Sequence, residues 1–412
     1  MPKSIQADWD VIIAGGGPAG FFAAIRCAEI NPKLRVLVIE KARQTLGKVL
    51  ISGGGRCNVT NACFDPAQLI TYYPRGSAAL HGAFTRFQPA DTVKWFEKHG
   101  VKLKTEADNR MFPVTDSSET IAECLRESAK QAGVTVQTGT SLEKVESLSE
   151  NGFGLTVRKD MNALHLQTKK LLLATGSDPK TREIVKSLGH SIEEPVPSLF
   201  TFNISDKRLE GLAGVSIESV TVKIDSLTQR GPLLITHWGL SGPAILRLSA
   251  WGARELFEKK YRALLYVNWL GDYSLDQTLE VLQRHKEWHE NVRRKVLTEP
   301  AFTQLPARLW KQLALFIGEK NWGDISKVEI RKLARELTAG EFSMEGKGQF
   351  KEEFVTCGGV KLNEVDFKSM QSRIIENLFF AGEVLDIDGI TGGFNFQSSW
   401  TTGWLAGSAL SS

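Results

Sequence analysis

Gly15, Gly17 and Gly20 stand at the spacing G-x-G-x-x-G, between the apolar run Val11–Ala14 and an alanine-rich stretch. That spacing lets a strand turn tightly into a helix while its backbone approaches a pyrophosphate, whose charge the helix N-terminus attracts. Pro18 and Ala19 belong to the same turn. A second apolar run, Val36–Ile39, ends at Glu40, twenty residues after Gly20. A carboxylate at that distance reaches a ribose hydroxyl. Lys41 opens a modest excess of Lys and Arg that runs to Arg56 and would give phosphates a positive field. The chemistry these residues predict is dinucleotide binding.

A second group lies in KARQTLGKVLISGGGRCNVTN, where regular periodicity stops between Lys41 and Asn61. It reads as a long functional loop. Gly53, Gly54 and Gly55 tolerate positive φ and expose backbone amides, so the chain can run against a flat ring system. Arg56, Asn58, Thr60 and Asn61 follow at once. A third group is split between LLLATG, ending at Thr175 and Gly176, and FFAGE, ending at Gly382 and Glu383. Both read as buried strands that stop beside a closely approaching backbone, as in flavoproteins with two dinucleotide-binding domains. After Gly392 and Gly393, the spacing of Phe396, Trp400 and Trp404 predicts a closely packed helix. Its N-terminus, near Asn395–Gln397, carries about half a positive charge. An anionic reduced flavin would be stabilised there.

Positioning these groups requires an α/β frame. The strands at 11–14, 36–39, 134–137, 170–174 and 377–381 read as parallel and buried. Helices are expected at SAALHGAFTRF, PADTVKWFEKHG and from Ser117 to Ala132. Three alternating runs, 141–148, 153–158 and 163–169, predict a small antiparallel unit. From Glu194 to Trp269 the texture changes to short alternating runs between glycines and prolines, which suggests a barrel or sandwich. Within it, His237 precedes a helix from Ala244 that Ser241 could cap, and it is the first acid–base candidate. Asp272–Ala339 reads as helical and charged. His285 and His289 lie one helical turn apart, but with no third ligand evident nearby they read as surface, and no metal site is assigned.

With 412 residues, 42% hydrophobic and 24% charged, the chain has the composition of a globular protein of two or three domains. A formal charge of +4, with no run of five like charges, gives no argument for nucleic acid or anionic lipid. No apolar run is long enough to span a bilayer and no signal region opens the chain, so a cytoplasmic protein is expected. Five irregularly spaced cysteines fit reduced thiols. A small-molecule substrate is the expected partner, with the oligomeric state left open.

GGGPAG, GKVLISGGGRCNVTN, NRMFPVTD, LLLATG, THWGLSGPAIL, FVTCGGV and FFAGEVLDIDGITGGFNFQSSWTTGWLAG together resemble the BaiN/RdsA-type flavoproteins, also described as aminoacetone-oxidase-like. The resemblance covers nearly the whole chain. It implies a Rossmann-like FAD-binding domain at 1–193 and 352–412, an inserted β-barrel at 194–270 and 340–351, and a small helical domain at 271–339. It places Gly15, Gly17, Gly20 and Glu40 on the ADP half of FAD. Lys48, Gly54, Arg56, Cys57, Asn58, Thr175, Gly176, Gly382, Glu383, Gly392, Gly393, Asn395 and Phe396 then follow the pyrophosphate, ribityl chain or isoalloxazine. The implied activity is FAD-dependent hydride transfer to or from a small organic substrate, with the barrel closing over the ring. No second G-x-G-x-x-G marks a separate NAD(P)H domain, so NAD(P)H is a candidate transient co-substrate and oxygen a candidate acceptor. Two alternatives stay open. One is a dithiol mechanism using Cys57 and Cys63, although five residues separate them where a redox pair has four; Cys57 is also the second acid–base candidate. The other is a non-catalytic flavoprotein that senses redox state or binds a partner.

Overall fold

Four fully buried apolar residues, Val11, Ile12, Ile13 and Ala14, make the strand Trp9–Ala14 the centre of a parallel sheet. It pairs with Val36–Ile39 on one side and with Asn162–Leu173 on the other, Ala14 standing opposite Ile39 and Leu173. Beyond these, Thr135–Gln137 extends one edge and Leu378–Phe380 the other, both parallel. The computed structural model describes residues 9–148, 152–160, 162–348 and 355–412. It falls into two compact units, Met1–Pro195 with Thr356–Ser412, and Val196–Val355. The parallel sheet belongs to the first.

Asn162–Leu173 is one strand where the sequence suggests two. Its first part runs antiparallel to Gly152–Lys159, and its last four residues run parallel to Val11–Ala14. The change is written in its burial. Exposed and covered positions alternate as far as Lys169, then Leu171, Leu172 and Leu173 are all buried. The alternating part has one wet face, and the continuous part is covered on both.

The helix Pro18–Ile30 follows the first strand and packs against the C-terminal helix Phe394–Leu410. Two glycines permit the close approach. A Cβ on Gly403 would lie 2.6 Å from the Ala19 carbonyl oxygen, and one on Gly407 would collide with that of Ala23. The first and last described helices are thereby locked together, which makes one unit from two distant segments.

The expected loop between Lys41 and Asn61 instead contains a helix, Gly47–Gly55, broken at Ser52, where ψ swings to 152°. Val49 is its buried anchor. Its periodicity is invisible in the sequence because only the single turn before Ser52 is right-handed helix, and Gly53 and Gly54 leave it at φ 58° and 69°.

In the second unit an antiparallel sheet runs in the order 340–344, 263–268, 216–224, 227–236, 239–241, 202–203, 346–347. Its two end strands are separated in sequence by Glu345 alone, so the sheet must curl round to bring them to opposite ends of one path. The helices Leu275–Trp288, Ala307–Leu313 and Lys327–Ala339 were expected as a separate domain. They share one hydrophobic core with the sheet, through Leu282, Trp310, Leu333 and Leu337 on the helices and Val267, Trp269 and Phe342 on the strands. Each helix is too short to bury its apolar stripe alone. The helix Pro243–Trp251 is capped by Gly242 at φ 92°, while Ser241, the expected cap, ends a strand. No described helix is long and apolar enough to cross a membrane.

Candidate functional site

At the end of the first strand, Gly15 adopts φ 113°, and a side chain there would run into the Ala174 carbonyl. Its N–H donates to Ile39 O at 2.8 Å. Glu40 accepts the Gly16 N–H at Oε2 (2.7 Å) and the Ala42 N–H at Oε1 (2.8 Å). A carboxylate oxygen has room for a second donor, so Glu40 can brace the turn and still take a hydroxyl. Gly20 approaches the Gly15 carbonyl so closely that no Cβ fits. The helix then starts at Gly17 with Pro18 in its first turn, without a side-chain cap and without an acid there. Its first N–H groups, from Ala19 on because Pro18 has none, lack intrahelical partners and carry the positive end of the dipole.

Beside this turn opens a cleft of about 140 Å³, lined by Gly15, Glu40, Lys41, Leu142, Thr175 and Asp178 among others. Leu142 and Asp178 were not singled out from sequence. Asp178 could have been, because SDPKT places an N-cap acid and an N1 proline directly after A-T-G. The structure makes it the cap of the helix Pro179–Ser187. Burial opposes its ionisation, but hydrogen bonds from Lys41 (2.5 Å) and the Thr181 N–H outweigh that and hold its carboxyl below the usual range.

Thr175 and Gly176 meet Gly382 and Glu383 as expected of two strands ending together. Gly176 (φ 65°) lies so that a Cβ would stand 3.7 Å from Glu383 Oε2. Gly382 (φ 73°) seats its loop against Ala19 and donates its N–H to Thr402 Oγ1 (3.0 Å). Glu383 accepts the Thr356 N–H (2.9 Å) and pairs with Lys48. The Thr175 hydroxyl oxygen is buried and has no hydrogen-bond partner.

On the far side, Gly53, Gly54 and Gly55 occupy the left-handed region in succession, at φ 58°, 69° and 84°. Gly54 and Gly55 have open space where a side chain would be. The chain then turns inward. With its amide oriented to satisfy both partners, Asn58 accepts the Gly393 N–H (2.9 Å) and donates to Thr60 O (3.0 Å). Asn61 donates to Gly392 O (3.1 Å). Asn395 braces its own loop, giving and taking one hydrogen bond with Gly389 at 2.8 Å each. Phe396 stacks on Trp400.

Sequence reasoning passed over the group that holds this start of the C-terminal helix in place. Gln397 is fully buried, accepts from Thr60 (2.6 Å) and Thr92 (2.9 Å), and donates to Thr401 (3.0 Å). The Tyr73 hydroxyl donates to Phe394 O (2.6 Å), and Trp400 donates to Val59 O (2.9 Å). Arg75 forms a two-pronged ion pair with Asp388, whose side chain is fully buried. A fully satisfied buried network fixes geometry. The signal was available in DGITGG, a buried acid within a glycine loop.

Three expectations change. Arg56 does not offer a free charge: Glu106 (2.6 Å) and Asp116 (3.6 Å) pair with it, and it lies 4.0 Å over the Phe112 ring. Cys57 is fully buried at φ 59°, and desolvation pushes its thiol up to about 12, so it stays protonated and serves as neither base nor nucleophile. His237 lies in the second unit, exposed on the turn between Leu227–Thr236 and Gly239–Ser241, with its ring edge-on to Trp238. The other candidates all lie in the first unit. There, Lys41, Lys48 and Arg56 are each neutralised by an acid. Two uncapped helix starts, Gly17–Pro18 and Gly393–Phe394, neither with an acid in its first turn, contribute positive partial charge.

An FAD fits what these residues leave unfilled. The orphaned Thr175 hydroxyl, the spare capacity of Glu40 and two free helix starts suit the hydroxyls, phosphates and ring of such a dinucleotide. Residues 9–409 match the family model described as the HI0933-like protein Rossmann domain. The chain is 29% identical to a protein of Escherichia coli named ribosomal RNA dihydrouridine synthase, over 98% of each chain. It is 26% identical to the 3-dehydro-bile acid delta(4,6)-reductase of Clostridium scindens, over 96% of this chain and 98% of that one. Among solved structures, 3-ketosteroid delta1-dehydrogenase from Sterolibacterium denitrificans shares the fold, with TM-score 0.55 at 13% identity over 98% of this chain and all of the other.

Proposed function

The chain belongs to the HI0933-like Rossmann-domain family of FAD-binding oxidoreductases, and we propose that it reduces carbon–carbon double bonds conjugated to a carbonyl, with NAD(P)H as the reductant. One observation carries the direction of the reaction. Both kinds of curated relative, aligned end to end with this chain, are named for adding hydrogen across such a bond, in uridine and in a 3-dehydro bile acid. Bound FAD, reduced by NAD(P)H, would supply the hydride that goes to the carbon β to the carbonyl, and a solvent proton would complete the α carbon.

The chain's own residues bind and orient. The N–H groups of Gly17, Ala19 and Gly20 would take the pyrophosphate, while Glu40 and Thr175 would accept from or donate to hydroxyls. The N–H groups of Phe394–Phe396, held by the Gln397 network, would stabilise negative charge on a bound flavin ring, and Gly54 and Gly55 would let the backbone pass close beside it.

The test is anaerobic. The flavin-loaded protein is mixed with NADH or NADPH while the visible flavin band is followed, then an enone, uridine or an isolated alkene is added. We expect bleaching by at least one nicotinamide and recolouring by a conjugated carbonyl compound but not by the alkene. Recolouring by oxygen alone would overturn the reading, and a flavin that never bleaches would favour a sensing or partner-binding protein.

A further inference from the structure

The main sheet of the first unit ends in the short strand Val365–Asp366, which pairs with Gln371–Ser372. Between them the chain reverses in a tight turn. Met370 N donates to Asp366 O (2.6 Å), the Asp366 carboxylate accepts the Lys368 N–H (3.2 Å), and Phe380 N on the neighbouring strand donates to Met370 O (3.0 Å). A turn tied this way holds its shape by itself. Beside it, the end of the helix Ser77–Phe84 stands off far enough to leave a cavity of about 660 Å³. Small-molecule sites fall at roughly 300–1,000 Å³. The cavity shares no lining residue with the cleft beside Gly15.

Its apolar surface comes from Ala83, Leu362, Val365 and Phe367, and its charge from Arg86, Lys368 and Arg373, which are exposed. Carbonyls of the turn anchor both arginines. Arg86 Nη1 donates to Lys368 O, and Arg373 Nε to Val365 O (3.3 Å). A guanidinium has five N–H groups, so most of each fork stays unused. Asp366 is the one acid on the lining, 3.5 Å from Arg373 and already engaged by its own turn. Glu364 is turned away to the Ser191 N–H (2.8 Å). Among the described residues neither Arg86 nor Lys368 has a carboxylate partner. Three cations against one acid leave the lining at a formal +2.

Gly82 adds an independent observation. It lies inside a helix, where glycine is unfavourable, yet a Cβ there would meet nothing within 4 Å. Packing does not require this glycine, and its bareness keeps the cavity open.

We propose that this cavity binds a small phosphate monoester with an apolar or aromatic body, at a site separate from the flavin cleft. Guanidinium forks already held by backbone carbonyls match a phosphate without further ordering. The formal +2 suits the charge of about −1.5 to −2 on a monoester at neutral pH better than the single charge of a carboxylate. Leu362, Val365 and Phe367 take the body.

The test titrates naphthyl phosphate into the flavin-loaded protein by calorimetry, with inorganic phosphate, naphthoate and phosphatidic acid vesicles as comparison probes. Saturable binding is expected, at least about tenfold tighter than that of inorganic phosphate or naphthoate. Arg86→Ala should weaken it by at least about tenfold. Gly82→Leu should block the ester and leave the weaker binding of inorganic phosphate unchanged, because leucine fills the apolar part and favours the helix. Both variants should retain flavin and unfold cooperatively, which separates loss of the site from loss of the fold. Wild-type affinity in either variant would overturn the site, as would displacement of the ester by added FAD. Naphthoate binding as tightly as the ester would overturn the phosphate assignment, and binding to the vesicles alone would overturn a small soluble ligand.

Discussion

Two glycine triplets flank the candidate flavin site, and they are glycine for different reasons. In Gly15–Gly17, packing decides: a Cβ on Gly15 would strike the Ala174 backbone, and one on Gly16 would lie 2.9 Å from Glu40 Cβ. In Gly53–Gly55 the left-handed backbone decides, because Gly54 and Gly55 have nothing within 4 Å of a built Cβ. At Gly15 and Gly16 the space is filled by the protein itself, whereas at Gly54 and Gly55 it is open and available to a ligand. A contact made inside the protein tests stability, whereas an open one tests only binding.

Gly15→Ala should have the largest effect. It adds a steric collision to an unfavourable φ at the junction of three central strands, in a core that cannot relax around a backbone atom. The expected outcome is loss of soluble, flavin-retaining protein, read from expression and the visible spectrum. A folded variant with wild-type flavin content would show that the turn yields and would erase the contrast.

Gly54→Ala should fold. Its cost is conformational, about 1–2 kcal/mol for a left-handed alanine, and should appear as a lower urea midpoint with an unchanged slope. Flavin affinity should fall by about tenfold or more, because the added methyl occupies the open face. An unchanged affinity would mean that the triplet does not line the ring. Gly17→Ala sharpens the comparison from inside the first triplet. Gly17 has φ −89° and open space, so stability should change by less than about 1 kcal/mol while flavin binding weakens.

This difference explains what the sequence could reveal. The parallel strands were legible because a strand covered on both faces is apolar at every position, as Val36–Ile39 and Leu171–Leu173 are. The nucleotide turn was legible because its glycines are spaced by packing that recurs wherever a strand meets a helix under a phosphate. The pairing of Lys41, Lys48 and Arg56 was hidden, since each partner lies 50 or more residues away. Sequence therefore suggested a positive field from side chains where the structure draws it from helix starts. Gln397 was hidden too, because a glutamine in a helix reads as surface until Thr60 and Thr92 are brought against it.

The smallest expected effect concerns the cysteines that follow the open triplet. If Gly53–Gly55 served a dithiol centre and not a ring, Cys63 would exchange with Cys57 and its loss would halt turnover. Both thiols are free and buried, and desolvation raises both above the ordinary thiol range, so neither offers the thiolate that exchange requires. Among the described residues, Cys63 makes one long contact from Sγ to Asp65 O, at 3.8 Å. Cys63→Ser should therefore leave bleaching by NAD(P)H and recolouring by an enone at wild-type rates, measured by anaerobic stopped flow. A variant that bleaches normally but no longer passes electrons on would return the chemistry to sulfur. The openness of Gly54 and Gly55 would then be the approach for a disulfide substrate.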